Sequence, residues 1–451
     1  MPSDKKTNII IVSHAFPPIN HISSVRPSKL AKYFVRHGCN VTVITSVPEK
    51  GERIDSDDDY HSVVNNINII RVPSKQVDLT KYLKVIAHLT KTLNENARLT
   101  STKSGAKTKK IRWHQITTFI DRLASDLIWY HHVRNTLKSL NIYGDNYDLI
   151  FSTNPPIGPL LVANDLKLNT KAFWIADFRD SPFLPSIMNN LLIKVQRLLI
   201  KHFLKNADLV TVISDGIKTS IHQNMRNLDK PIRTVYNGYD MEDFPLGCMS
   251  DQSRAETKLN ITYTGALYNN RRDASLLFCA IEGGIEEGLF TEDNFEIHYA
   301  GREFHSFKEQ ASKYKLTRIL DNHGNLTRKE SLLLQHKSDV LLLLTWNTIH
   351  EQGIITGKFS EYLMMRKIIL AIITGDLPNS EIFNIITKNQ LGIACEEYHF
   401  ESSNKELKNY LLYLIDQKSK GRSLLLKKCD FEEFNYAKLA SRIIKLIKTE
   451  I

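Results

Sequence analysis

Short apolar, β-branched runs recur along the chain, each followed by a turn and a stretch of helical periodicity. They fall at 8–13, 41–45, 67–72, 148–153, 172–178 and 208–214, then at 260–264, 295–300, 339–345 and 368–372. Runs of Ile, Val, Phe and Thr without polar alternation suit strands covered on both faces, the environment of a parallel sheet. Strands that alternate with helices predict an α/β fold with helices packed on both sides of each sheet. The spacing predicts a helix over 27–37, with Pro27 near its first turn and Gly38 just past its end, as helix ends prefer. A final amphipathic helix is predicted over 436–448.

The two series of strands imply two domains. A chain of 451 residues is long enough for two or three. The polar, irregular stretch 245–258 reads as the linker. The expected division is 1–250, 251–435, and a C-terminal helix at 436–451 that crosses back to the first domain. The segment STKSGAKTKK at 101–110 is basic and aperiodic, and reads as a surface loop inserted in the first domain.

With 42% hydrophobic and 24% charged residues, the chain can build substantial cores and does not read as disordered. Its formal net charge of +11 favours anionic partners: phosphorylated small molecules, nucleic acid or an acidic membrane. No nucleic-acid recognition motif accompanies the charge, so nucleic acid ranks last. Cys39, Cys248, Cys279, Cys395 and Cys429 are far apart and form no C-x-x-C pair, which reads as thiols of a reducing compartment. The apolar run 9–12 is too short for a signal-peptide core, and no long apolar span occurs. The expected location is cytoplasmic, with the chain able to rest on the inner face of the plasma membrane. The segment 187–205 supports that: Met188, Leu191, Leu192, Val195, Leu198, Leu199 and Phe203 follow helical spacing, while Lys194, Arg197, Lys201 and Lys205 form a basic stripe. A helix packed on a sheet with a solvated basic flank explains the same pattern.

Several chemistries are unsupported. No G-x-G-x-x-G motif points to a dinucleotide cofactor. The segment 353–358 superficially resembles a phosphate-binding P-loop, but three residues separate its glycines and Phe359 stands where Ser or Thr is required. No Cys/His cluster has zinc spacing and no G-x-S-x-G elbow occurs. The expectation is no cofactor and no metal.

The positive signals lie at strand ends and helix starts. In FWIADFRDSPF (173–183), Asp177, Arg179 and Asp180 crowd the carboxyl end of a strand, where open α/β sheets bind ligands. An Arg179–Asp180 ion pair that caps the next helix is the structural alternative. In ITYTGALYNNRRD (261–273), Gly265 ends a strand and lets backbone approach a ligand. Arg271 and Arg272 precede a helix, a combination suited to a diphosphate. In GKFSEYLMMRKIILA (357–371), Lys358 and Glu361 are three apart and share a helix face. Asn237-Gly238 is a turn signal.

Together with 14–46 (HAFPPINHISSVRPSKL…), YDLIFSTNPP (147–156), TVISDGI (211–217) and VYNGYDMEDF (235–244), these segments resemble the retaining glycosyltransferases of GT-B fold, in particular family 4, the bacterial surface-polysaccharide branch. The resemblance implies two Rossmann-like domains whose parallel sheets face across a cleft. It implies transfer of a sugar from a nucleotide-diphosphate sugar, a substrate and not a cofactor, to a glycan or lipid-linked acceptor, retaining and metal-independent. Arg271 and Arg272 would hold the diphosphate and stabilise it as it leaves. Lys358 would meet phosphate or sugar oxygens, and Glu361 the ribose hydroxyls. Asp177 and Asp180 are the nearest carboxylates for a covalent route, with front-side attack equally open. The family often carries E-x7-E; here Gly353 occupies the first position and Glu351 is off register. Asn20, His21 and Ile22 replace the glycines usual after the first proline pair. A nucleotide-sugar epimerase and a non-catalytic glycan- or lipid-binding subunit are the alternatives.

Overall fold

The computed structural model describes residues 6–49, 66–74, 113–183, 190–226, 228–244, 258–427 and 431–450. The loop expected at 101–110 and nearly all of the linker expected at 245–258 lie outside them. The chain divides into two units: Met1–Val212 with Ser220–Arg233 and Ala440–Ile451, and Ile213–Thr219 with Thr234–Leu439.

The first unit is built on a seven-stranded sheet: β1 (Asn8–Val12), β2 (Asn40–Ser46), β3 (Ile67–Val72), β4 (Leu149–Asn154), β5 (Phe173–Phe178), β6 (Leu209–Val212) and β7 (Ile232–Thr234). Their spatial order is β3-β2-β1-β4-β5-β6-β7, with β1 to β6 paired in parallel. Ile9, Ile10, Ile11 and Val12 are completely buried, as a central strand covered on both faces requires. The connecting helices are α1 (Ile22–Arg36), α2 (Trp113–Ser139), α3 (Gly158–Asn169) and α4 (Asn190–Leu204); α5 (Asp215–Asn224) follows β6.

The first helix departs from the sequence expectation. It starts at Ile22, not near Pro27, so that Pro27 sits inside it. The N-cap is His21, whose Nδ1 accepts from the Ser23 amide at 3.2 Å. An imidazole cap is not among the usual Ser, Thr, Asp and Asn signals, and an interior proline forfeits one intrahelical bond. Both facts hid the true start.

The second unit carries a six-stranded sheet: β8 (Leu259–Thr264), β9 (Phe295–Ala300), β10 (Leu320–Gly324), β11 (Val340–Trp346), β12 (Ile368–Thr374) and β13 (Gly392–Glu396), in the order β10-β9-β8-β11-β12-β13. All its pairings are parallel. One face packs on α6 (Ser275–Glu286), α7 (Phe304–Ser312) and α11 (Phe400–Ser419), with Phe278, Phe295 and Phe307 buried among them. Each such ring is worth roughly 1.5–3 kcal/mol of burial. The other face packs on α8 (Arg328–Lys337), α9 (Gly357–Met365) and α10 (Glu381–Asn389), around Leu341, Leu343, Phe359 and Ile386. The chain ends in α12 (Tyr436–Glu450). Among the described residues, Cys39, Cys279 and Cys395 are thiols and not disulfide partners.

Asn237-Gly238 forms no turn. The pair runs into the isolated bridge between Tyr239 and Asn435. A Cβ on Gly238 would lie 3.0 Å from the Tyr436 ring and backbone nitrogen. The glycine serves close packing, not a reversal of the chain.

Candidate active site

In the second unit the carboxyl ends of β8 and β9 and the start of α9 bring polar groups together. Gly265 follows β8 with φ +142. A Cβ there would meet Tyr263 Oη at 3.5 Å and the Lys358 side chain at 3.8 Å, so the lysine lies directly over the glycine. Lys358 Nζ donates to Glu361 Oε2 at 3.2 Å. Gln335 Nε2 reaches the same oxygen at 3.2 Å, and Arg328 Nη1 reaches Oε1 at 3.2 Å. Arg328 continues to Asp243 through Nη2 at 2.9 Å. Burial by itself would raise the Glu361 carboxyl above its ordinary range, but Lys358 and Arg328 outweigh it and hold the group below that range. Glu361 is therefore an ionised carboxylate that accepts three hydrogen bonds, leaving roughly one of its four acceptor positions.

The start of α9 adds backbone polarity. Its N-cap Thr356 makes no side-chain capping bond, and the Thr356 hydroxyl is buried without a hydrogen-bond partner. An uncapped helix N-terminus that carries a lysine in its first turn is suited to an anion.

The arginine pair has protein partners of its own. The helix after it, α6, has its N-terminal donors filled: Ser275 N donates to Asp273 Oδ1 at 2.6 Å and Ala274 N to Gln310 Oε1 at 3.0 Å. Arg271 Nη2 pairs with the buried Glu351 at 2.6 Å and lies 4.1 Å over the Trp346 ring. Trp346 Nε1 donates to the same glutamate oxygen at 2.9 Å. Arg272 stacks on Tyr268 at 4.4 Å and gives Nη1 to the Ala266 carbonyl at 3.1 Å. Arg272 also hydrogen-bonds Tyr263, whose hydroxyl borders Gly265, so it adjoins the Lys358 group. Arg271 is committed to Glu351 instead. The loop that carries the pair is unusual: Tyr268, Asn269 and Asn270 are all left-handed, with φ of 53, 54 and 62. Asn tolerates this region; Tyr does so at a cost. Glu303 steadies the loop by accepting from Leu267 N at 2.6 Å.

Glu351 and Gly353 settle differently too. Glu351 is a buried partner of Arg271. Gly353 has φ +68 and a Cα so close to Gly216 that a side chain has no room.

In the first unit, Asp177 is fully buried at the end of β5. Arg26, also buried, binds it through two contacts, Nε to Oδ2 at 2.9 Å and Nη2 to Oδ1 at 2.8 Å. Thr211 Oγ1 adds a third at 2.7 Å. The carboxylate thus ties α1 to β5 and β6. Arg179 donates its backbone amide to Asn154 at 2.8 Å and its guanidinium to the Pro155 carbonyl. Asp180 is exposed. Beside them, Asn154, Pro155, Pro156, Phe178, Pro182 and Ile200 line a shallow apolar pocket.

Sequence reasoning missed Arg328, Gln335 and Asp126. The first lay within reach: Thr327 and Glu330 form a capping box that starts α8 and fixes Arg328 in its first turn. Asp126, on α2, accepts from the Ile157 amide at 3.2 Å at the start of α3. Burial pushes its carboxyl up to about 6.

In α4, Leu192, Ile193, Ile200 and Leu204 are buried, while Val195 and Leu198 are exposed. The apolar stripe drawn from sequence is therefore divided, and Leu198 stands among Lys194, Lys201 and Lys205 on the outer face. Among the described residues no helix is long and apolar enough to cross a membrane.

No family model matches the chain, and no curated protein matches it. Solved structures do match along its length. OtsA aligns at 12% identity over 98% of this chain and 99% of its own, with a TM-score of 0.62. Sucrose-phosphate synthase from Thermosynechococcus elongatus aligns at 12% identity over 99% of each chain, with a TM-score of 0.55. Anabaena HepE, solved with UDP and glucose, aligns at 11% identity over 98% of this chain and 100% of its own, with a TM-score of 0.53. Two parallel-sheet α/β units of seven and six strands match GT-B glycosyltransferase structures, and the fold is GT-B.

Proposed function

We propose that the chain is a glycosyltransferase that uses a nucleotide-diphosphate sugar. The observation that carries this reading is the ionised Glu361, held by Lys358 and Arg328 beside Gly265 at the uncapped start of α9. Lys358 exchanges its bond to Glu361 for one to the donor's phosphate, and the freed carboxylate oxygen accepts a ribose hydroxyl. The α9 amides, Lys358 and the nearby Arg272 stabilise the leaving nucleoside diphosphate, so fixed charge does the work a divalent ion would do. Arg271, neutralised by Glu351, positions the loop. HepE was solved with UDP, which supports a uridine donor here.

The finer reading is transfer to a glycan or lipid-linked acceptor of surface-polysaccharide synthesis, with retained anomeric configuration as in family 4. Asp177 acts as a positioning residue, sealed by Arg26. Asp180 is the accessible carboxylate of the segment, and front-side attack requires none. Leu198 and Val195, exposed among basic residues on α4, suit docking on an anionic membrane that presents a lipid-linked acceptor.

The test is to incubate the chain with UDP-, GDP- and CMP-sugars, with and without lipid-linked acceptors, and to follow nucleotide release. Acceptor-dependent release is expected. Isomerised donor would replace this reading with an epimerase, and saturable binding without turnover would replace it with a binding subunit.

A further inference from the structure

At the edge of the second unit's sheet, three potential ligand atoms converge. His298 Nδ1 lies 3.3 Å from Asp321 Oδ2 and 3.1 Å from His323 Nε2, and His323 Nε2 lies 3.1 Å from Asp321 Oδ2. Sequence spacing conceals the cluster, because the histidines are far apart in the chain. Parallel pairing assembles it: Asp321 of β10 stands opposite His298 of β9. The register then shifts between Asn322 and Gly324, a bulge that carries His323. His298 is largely buried, His323 less so, and Asp321 is half exposed.

We propose that His298, Asp321 and His323 bind a divalent transition-metal ion of the zinc class. Zinc–nitrogen and zinc–oxygen bonds of about 2.0–2.2 Å in a tetrahedron set neighbouring ligand atoms about 3.3–3.6 Å apart. The three observed separations are within a few tenths of an ångström of that edge. Two imidazoles with one carboxylate favour zinc over magnesium or calcium, which take oxygen ligands. A second observation agrees. The other ring nitrogen of His298, Nε2, faces Glu296 Oε2 at 4.0 Å. At that distance the pair is not a hydrogen bond, but the carboxylate lies on the side of the ring where metal-bound histidines commonly give their other N–H to a carboxylate. Three protein ligands leave the fourth position to water. The ion would clamp β10, a short, polar edge strand, onto β9. The role is structural, uses none of the residues assigned to sugar transfer, and stands whether or not that assignment holds.

The untagged full chain, stripped with chelator, is titrated with Zn²⁺ by calorimetry and checked for retained metal by mass spectrometry. One ion per chain is expected, with a rise in the thermal midpoint that grows with Zn²⁺ concentration. His298→Gln, His323→Gln and Asp321→Asn each abolish that binding. Glu296→Gln weakens it by roughly 10–100-fold. His305→Gln, at an exposed histidine outside the cluster, leaves it unchanged. Circular dichroism of the stripped variants confirms folding, and Asp321→Asn, at a half-exposed residue, serves if a histidine variant unfolds. A wild type that retains no zinc, or binding equal in wild type and Asp321→Asn, overturns the proposal.

Discussion

Gly353 and Gly216 meet backbone to backbone: a Cβ on Gly353 would lie 2.6 Å from the Gly216 Cα and 2.7 Å from its nitrogen. Glu381 fixes this contact by accepting from Asp215 N at 2.9 Å and Gly216 N at 3.0 Å. Placing a glutamate here with Gly353→Glu is therefore expected to lower stability without raising activity. Gly353→Ala should also destabilise, by about 1–3 kcal/mol from its left-handed backbone alone. Urea unfolding of both variants checks this, and wild-type stability in either would contradict it.

Arg26 and Asp177 form a pair sealed from solvent. Removing one partner strands a buried charge, at a cost of about 3–5 kcal/mol, whereas removing both strands none. Arg26→Met and Asp177→Ala should each be markedly less stable than wild type, and the double variant should recover part of the loss. Denaturant midpoints of the four proteins complete the cycle. Additive losses would mean the two side chains act independently.

Asp126 gives a pH signature. Its folded value of about 6 lies above its ordinary value of 3.8. A carboxyl raised on folding contributes stability that is fully present below its unfolded value and lost as pH rises through the folded one. The wild type should therefore lose stability between roughly pH 4 and 6, by up to ~3 kcal/mol. Asp126→Asn, which keeps an acceptor for the Ile157 amide, should flatten that part of the profile. An unchanged slope would assign it to other groups.

Lys194, Arg197 and Lys201 on α4, with Lys205 just past its end, flank Leu198, and their combined replacement by glutamine should reduce sedimentation with anionic phosphatidylglycerol vesicles. Leu198→Ser should reduce it too, since Leu198 is 69% exposed. Binding that neither change affects would place the lipid contact elsewhere.

The fold was largely legible because its central strands are buried on both faces. The apolar run at 148–153 falls on β4 and that at 260–264 on β8, both buried throughout, while the edge strand β3 was visible because its own sequence is apolar. The strands overlooked were β7, β10 and β13, all at sheet ends, where one side is unpaired and apolar continuity is not demanded. β10 reads Leu-Asp-Asn-His-Gly and alone resembles a loop. At the candidate site, Lys358 and Glu361 were visible because helical spacing is local. Their partners Arg328 and Gln335 come from another helix, and no sequence period links them. The partner of Arg271 was hidden for the same reason: the carboxylate that binds it is Glu351, which follows β11 far along the chain.

Calorimetric titration of UDP into wild type and Lys358→Met tests the central claim most directly. Saturable binding by the wild type, weakened by roughly 10–100-fold in the variant, is predicted from loss of one charged hydrogen bond to phosphate. Equal affinity in the two proteins, or no binding of UDP, GDP or CMP by the wild type, would contradict a nucleotide site at the start of α9.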